Sequence, residues 1–257
     1  MERLFNTEFG RPIFRYIMAL YKFKMISRAL RFDDYSSRRQ QRSHDKFAPI
    51  RTIWDKWVES LPTFYNPHDN VTIDEQLLSF RGRCKFRQYM PSKPAKYGIK
   101  LWVLVDSSSK YVWNIQPYLG KAVSGVVEKQ QGKRVVLDLV KGLNGHNITV
   151  DNFFTSLELS QELLKQKLTI VGTLRLNKKC IPPKLLQCKH FPLFSSSFAF
   201  SKDTTLVSYI SRKNKCTVLL STLHHQDNVN HEHAKKLPEI VEYYNYTKGI
   251  FISIIIK

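Results

Sequence analysis

Between residues 71 and 174 the hydropathy pattern changes period in a fixed order, and that order restricts the fold more than any other feature of the chain. Val71-Thr72-Ile73-Asp74 alternates apolar and polar residues and runs on into Gln76-Leu77-Leu78-Ser79-Phe80. Residues 99–105 and 111–118 are rich in β-branched and aromatic side chains, and the turn formers Asp106-Ser107-Ser108-Ser109 divide them. Residues 134–143 then carry a helical pattern, and residues 146–150 read as a buried strand ending at Asp151. Thr155 and Glu158 have capping-box spacing and predict a second helix to about Gln166. Residues 168–174 form a last apolar strand. The predicted order is β-β-β-α-β-α-β, an α/β domain in which the first and fourth strands can be neighbours.

The flanks differ. Roughly the first 60 residues read as helical: Ile50, Ile53, Trp54, Trp57, Val58 and Leu61 recur at helical spacing, and Pro49 suits a first turn. That stripe predicts core packing for Trp54 and Trp57, as adjacent strands do for Trp102 and Trp113. Upstream, residues 36–43 (Ser-Ser-Arg-Arg-Gln-Gln-Arg-Ser) read as a polar connector, equally a solvated loop or a phosphate-contacting one. From Asn177 to about Leu237 short strand-like runs sit between Pro, Ser and Lys clusters, and residues 240–246 resume the core texture. The predicted parts are a helical region (1–68), the first part of an α/β core (69–176), an inserted β-rich subdomain (177–237) and a return to the core (238–257).

Charge narrows the class of partner. Forty-one Lys and Arg against 21 acids leave a net charge of +20, which favours nucleic acid over neutral partners. A membrane is a poor alternative, since Lys22, Lys24 and Arg28 interrupt the most apolar N-terminal run. Cys84, Cys180, Cys188 and Cys216 form no CxxC pair, and the spacing of Cys180, Cys188 and His190 matches no common zinc pattern, so no zinc site is predicted. His224, His225, His231 and His233 lie among polar residues and read as a solvated loop.

Asp74 and Asp151 each stand at or just beyond an apolar strand. Brought side by side, two carboxylates suit a hard divalent cation, and such cations serve phosphodiester exchange. A strand-end Asp is also a common turn residue, and on spacing alone that reading stays open. Arg81, Arg83, Lys85, Arg87, Lys93, Lys96 and Lys100 place seven positive charges in 20 residues, interleaved with Phe86, Tyr89 and Tyr97. They read as a DNA-backbone surface or a solvated basic loop.

The words around these residues carry more. Thr72-Ile73-Asp74-Glu75-Gln76, Phe80-Arg81-Gly82-Arg83 and the run from Gln88-Tyr89-Met90-Pro91 to Gly98-Ile99-Lys100 closely resemble the piggyBac transposase family. So do Tyr118-Leu119-Gly120, Val150-Asp151-Asn152-Phe153-Phe154-Thr155-Ser156, Val171-Gly172-Thr173-Leu174-Arg175 and Tyr243-Tyr244-Asn245-Tyr246-Thr247-Lys248-Gly249. Leu30-Arg31-Phe32-Asp33-Asp34 and Ile50-Arg51-Thr52-Ile53-Trp54-Asp55 extend the likeness upstream. The resemblance implies an RNase H-like core, three aspartates binding Mg²⁺ or Mn²⁺, and cut-and-paste transposition of double-stranded DNA at TTAA targets. It matches Asp74 to the first aspartate and Asp151 to the second, favours the DNA-backbone reading of the basic segment, and implies a nuclear protein able to form a homodimer.

One position departs from the pattern. The third aspartate of the family follows a Thr-Lys-Gly segment, and after Thr247-Lys248-Gly249 that position is Ile252. The family's acidic N-terminal region and C-terminal zinc module have no counterpart here either, so the expectation is a chain shortened at both ends. With two acids of three, the geometry demanded by in-line transfer is lost, and the expectation is a catalytically dead chain, either one that binds DNA without cutting it or the functionless product of a decayed element. Glu239 and Glu242, the nearest alternative acids, both precede the matching segment.

Overall fold

The computed structural model describes residues 2–121, 128–189 and 191–255, with backbone alone at residues 2 and 250–255. It divides into two compact units, Met1–Lys56 and Trp57–Lys257.

The first unit is helical: a 3-10 turn (Glu2–Phe5), α1 (Pro12–Ile17), α2 (Leu20–Ala29), α3 (Arg38–His44) and the start of α4 (Ala48–Phe64). Phe5 is buried, with the Phe14 and Phe23 rings at 6.0 and 5.3 Å from its own. Phe47 is buried under the edge of Trp54, and Arg51 donates to Asp45 at 2.8 Å. The connector predicted at residues 36–43 is largely α3, because Arg and Gln are good helix formers and nothing in that run breaks a helix. Part of the predicted core stripe on α4 also fails, since Ile50, Ile53 and Trp57 are 37, 46 and 44% exposed. Only Leu61 of that helix is buried.

The second unit is built on a nine-stranded sheet. Its strands are β1 (Asn70–Ser79), β2 (Gln88–Tyr89), β3 (Tyr97–Asp106), β4 (Val112–Pro117), β5 (Asn147–Val150), β6 (Thr169–Leu174), β7 (Ser196–Phe200), β8 (Thr205–Arg212) and β9 (Lys215–Ser221). The spatial order is β2-β3-β1-β5-β6-β9-β8-β7, with β4 also paired to β3. β1 runs antiparallel to β3 and parallel to β5, and β5 runs parallel to β6. Helices α5 (Gln131–Leu139) and α6 (Leu157–Lys165) make the two crossovers. A short ribbon, β10 (Val229–Asn230) with β11 (Leu237–Pro238), leads into α7 (Glu239–Ile255).

Strand alternation sends successive side chains to opposite faces. Val71 and Ile73 of β1, Ile148 and Val150 of β5, and Ile170 of β6 join Val135, Val136 and Leu139 of α5 and Leu159 and Leu163 of α6 in one buried core. The other face holds Thr72, Thr149 and Val171, and α7 covers it through Ile240 and Val241.

The strands of the segment expected to be inserted extend the central sheet. β9 pairs antiparallel with β6, Val171 facing Ser221, and Leu206, Val218 and Leu220 enter the same core as Ile170. The pairing covers an edge of β6 that would otherwise present unpaired backbone groups.

Two local expectations are corrected. Ser156, not Thr155, caps α6, its hydroxyl accepting from the Leu159 N–H, because the Thr155 hydroxyl already donates to the Asp151 carbonyl at 2.8 Å. Nor is His224 solvated: it is buried, its Nδ1 lies 2.8 Å from the Ser221 hydroxyl, and its ring meets the edge of Tyr243. His225, His231 and His233 are exposed, whereas Trp102 and Trp113 lie in the core as expected.

Candidate active site

Register brings the two aspartates together. Ile73 is the partner of Val150 in the parallel β1–β5 pair, so the next residues, Asp74 and Asp151, emerge side by side. Parity puts both on the face opposite the Ile73–Val150 core, the face that α7 covers. Asp151 ends its strand in a tight turn, where its carboxylate accepts the Phe153 N–H at 2.9 Å and its carbonyl accepts the N–H groups of Phe154 and Thr155. Two glycines admit this turn to its crowded position. A Cβ at Gly172 would lie 2.3 Å from the Thr155 hydroxyl, and one at Gly132 would lie 2.7 Å from the Phe153 carbonyl.

Helix α7 is hydrogen-bonded to both strands through one residue. Thr247 is fully buried; its hydroxyl accepts from Thr149 at 2.9 Å and its carbonyl accepts from Thr72 at 3.1 Å. Tyr243, one turn earlier, bonds Asn70 at the start of β1. The residue after Thr247 is Lys248, whose ammonium lies 2.6 Å from Asp74, both side chains being 14% exposed.

The electrostatics follow from this packing. Burial pushes the Asp151 carboxyl above the usual carboxylate range; the Lys248 charge pulls it down and Asp74 pushes it up. Tyr244, on α7, is pushed up to about 12 by burial, with both carboxylates opposing loss of its proton. Tyr244 also lines a cavity of about 430 Å³ with Thr173, Tyr209, Arg212, His233 and Lys235.

The donor set fits a hard cation. Asp151 follows the end of β5, whereas Asp74, expected at or just beyond a strand, lies inside β1, which runs on to Ser79 against β3. The two carboxylates meet where the β1–β5 pairing stops, their charges oppose one another, and a cationic group already stands against one of them. The alternative acids point elsewhere: Glu239 accepts from Asn228 at 2.9 Å and Glu242 from Asn230 at 3.0 Å. Among the described residues no cluster of three or more His, Cys, Asp or Glu could hold a metal ion. Ile252 falls within α7, and its side chain lies outside the described residues, as does all of His190.

The predicted basic surface divides. Arg81, Arg83, Lys85, Arg87 and Lys96 are exposed. Arg87 is turned onto its own loop, with its guanidinium 5.4 Å from the Tyr97 ring and donating to the carbonyls of Arg81 and Gly82. Lys93 and Lys100 face inward, 3.6 and 2.6 Å from the Glu75 carboxylate, and Lys100 also lies over Trp102, Tyr118 and Phe153. Sequence reasoning gave no role to Lys248, Thr247 or Glu75. The available signal was Tyr243, Tyr244, Thr247 and Lys248 recurring at one-turn spacing.

This sheet order, with α5 and α6 on one face and α7 on the other, is an RNase H-like core of the α/β class. A family model described as "Transposase IS4" matches residues 1–251. A cryo-EM structure of a piggyBac transposase synaptic complex with hairpin DNA superposes with a TM-score of 0.87 at 40% identity, covering 98% of this chain and 53% of that one. The human piggyBac transposable element-derived protein 3 is 28% identical over 137 residues, 51% of this chain and 23% of the relative. The human chimeric ERCC6-PGBD3 protein is also 28% identical over 137 residues, 13% of its length. The chain belongs to this transposase family and is of the piggyBac type. It spans about half the length of the solved relative and less of the human ones.

Proposed function

We propose that this chain binds double-stranded DNA and descends from a cut-and-paste transposase, with Asp74 and Asp151 retained as ligands for a divalent cation. The observation that carries this reading is the β1–β5 register, which sets two carboxylates side by side just past the last paired residues of those parallel strands. In a site with its full set of acids, Mg²⁺ or Mn²⁺ would supply activation of a water or 3′-hydroxyl and stabilisation of the leaving oxygen. Asp74 and Asp151 would hold it, and α7 would fix their surroundings through Thr247.

Resemblance to the family puts Ile252 where a third aspartate is expected, and neither Glu239 nor Glu242 turns toward the pair. We therefore assign the chain DNA binding without strand cleavage. Arg81, Arg83, Lys85, Arg87 and Lys96 are the exposed members of its basic surface, Arg87 being tied to its own loop, and Lys93 and Lys100 support it from within. The net charge of +20 suits a polyanion, and the solved relative was captured on hairpin DNA. Nuclear residence and homodimer formation belong to the same reading. No helix among the described residues is long and apolar enough to cross a membrane.

Supercoiled plasmid incubated with the protein in Mg²⁺ or Mn²⁺ tests this. Retarded but intact plasmid is the expected result. Nicking that Asp74→Asn and Asp151→Asn each abolish would make the chain an active nuclease and overturn the assignment.

A further inference from the structure

Lys248 stands where a cation belongs. Its ammonium is 2.6 Å from the Asp74 carboxylate, and both side chains are 14% exposed. Its charge also reaches Asp151, whose carboxyl it pulls down while burial and Asp74 push it up. Its position is built in by the fold. Thr247, the preceding residue, is hydrogen-bonded to Thr72 and Thr149, and those two threonines lie two residues before Asp74 and Asp151 on their strands. The contacts that dock α7 therefore also bring Lys248 to the carboxylate pair.

A carboxylate oxygen cannot serve an ammonium and a divalent cation at full strength together. A metal bound at about 2.0–2.2 Å from Asp74 would lie within a few ångströms of the ammonium, where like charges repel strongly in a partly buried site. We propose that Lys248 is an internal counter-cation of this site: it neutralises the aspartate pair while metal is absent, and a divalent cation binds only by displacing it from Asp74. The inference rests on the reading of Asp74 and Asp151 as metal ligands, and it adds a residue that sets how readily that metal enters.

Mn²⁺ binding to the full chain, followed by the electron paramagnetic resonance signal of the free ion, separates the two ideas. Lys248→Met keeps an unbranched side chain one atom shorter and removes its charge, and the expected result is binding at least about tenfold tighter than in the natural chain. Asp151→Asn should remove the site in both backgrounds. Unchanged or weaker binding by Lys248→Met, with the natural chain still losing its site in Asp151→Asn, overturns the counter-cation alone. If Asp151→Asn changes nothing in either background, the metal site itself falls and the counter-cation falls with it.

A measurement on the natural chain guards against a misfolded variant. Lys248 is acylated with an N-hydroxysuccinimide ester and its modification read by peptide mass spectrometry. Saturating Mn²⁺ should raise the rate several-fold, and Asp151→Asn should cancel that rise. An unchanged or slower rate in Mn²⁺ overturns the proposal.

Discussion

Ile73 on β1 and Val150 on β5 are register partners in a parallel pair, and their side chains share the buried core under α5 and α6. The aspartates that follow them consequently turn to the opposite face, beneath α7. A slip of one residue in that pairing would send one carboxylate into the core. The hydrophobic pattern of both strands thus fixes the placement of the candidate site.

The two aspartates should differ in what they do to stability. Asp74 balances the Lys248 charge at 2.6 Å, so Asp74→Asn should lower stability by about 2 kcal/mol, below the range for fully buried pairs because both groups are partly exposed. Asp151 is held with its carboxyl raised by burial, so ionisation costs the folded state, and Asp151→Asn should be neutral or slightly stabilising. Thermal melts at neutral pH in a chelator compare them. Equal losses for the two variants would contradict this assignment of charges.

Thr247 should matter more than its small side chain suggests. Thr247→Val keeps the shape and removes the acceptor for the Thr149 hydroxyl, leaving that buried donor unsatisfied. The expected loss is about 1–3 kcal/mol, with Thr149→Val/Thr247→Val recovering part of it. A double variant as unstable as the sum of the two single variants would show that the hydroxyls do not act as a pair.

Asp106 closes β3 away from the candidate site. Its fully buried carboxylate accepts the His68 N–H at 2.6 Å and the N–H groups of Ser108 and Ser109 at 2.7 Å. These bonds outweigh burial, which alone would raise it, and hold its pKa down to about 2. A depressed carboxyl adds stability that is complete above its unfolded value near 4 and is lost as pH falls toward 2, about 2 kcal/mol in all. Asp106→Asn turns an amide N–H₂ toward one of those N–H donors. It should cost a similar amount at pH 7 and flatten the acid limb of the stability curve. An unchanged slope between pH 4 and 2 would count against this role.

Much of the central sheet was legible because its strands are apolar on schedule. Apart from the two-residue β2, the β-β-β-α-β-α-β order, the strand that ends just before Asp151, and the buried Trp102 and Trp113 follow from periodicity, whereas Asp74 lies inside β1 rather than at its end. Less legible were features set by neighbours distant in sequence. The connector at residues 36–43 looked like a loop because polarity was read without helix propensity, and Thr155 lost its cap role to a bond with the Asp151 carbonyl. His224 looks polar in sequence but is buried where β9 meets α7, and Lys248 gains its meaning only when α7 crosses β1 and β5. Lys93 and Lys100 carry the same charge as Arg81 and Arg83; the position of Glu75 on β1, and for Lys100 three aromatic rings, turn them inward.

Gly172 gives a steric test of how the Asp151 turn is seated. The Cβ of alanine there would lie 2.3 Å from the Thr155 hydroxyl and 2.9 Å from the Val150 carbonyl, and the second of these is backbone that cannot swing aside. Gly172→Ala should cost about 1–3 kcal/mol in a thermal melt. A variant that melts like the natural chain would show that the turn packs less closely than this.

The basic segment should separate into residues that meet DNA and residues that hold the surface in shape. Replacing Arg81, Arg83 and Lys85 with alanine removes exposed charge. Affinity should then fall on every duplex sequence, and the slope of log K against log salt should shallow by roughly 0.9 for each phosphate that is no longer neutralised, with the melting temperature little changed. Lys100→Ala is the contrasting case. It strips the cation from Glu75 at 2.6 Å and from the faces of Trp102, Tyr118 and Phe153, so it should lower the melting temperature and leave the salt slope nearly intact. Fluorescence anisotropy on a labelled duplex across a salt series, alongside thermal melts, reads both quantities. A slope that responds to Lys100→Ala as strongly as to the exposed arginines would mean that Lys100 leaves Glu75 to reach the phosphate backbone, and the division of the segment would have to be redrawn.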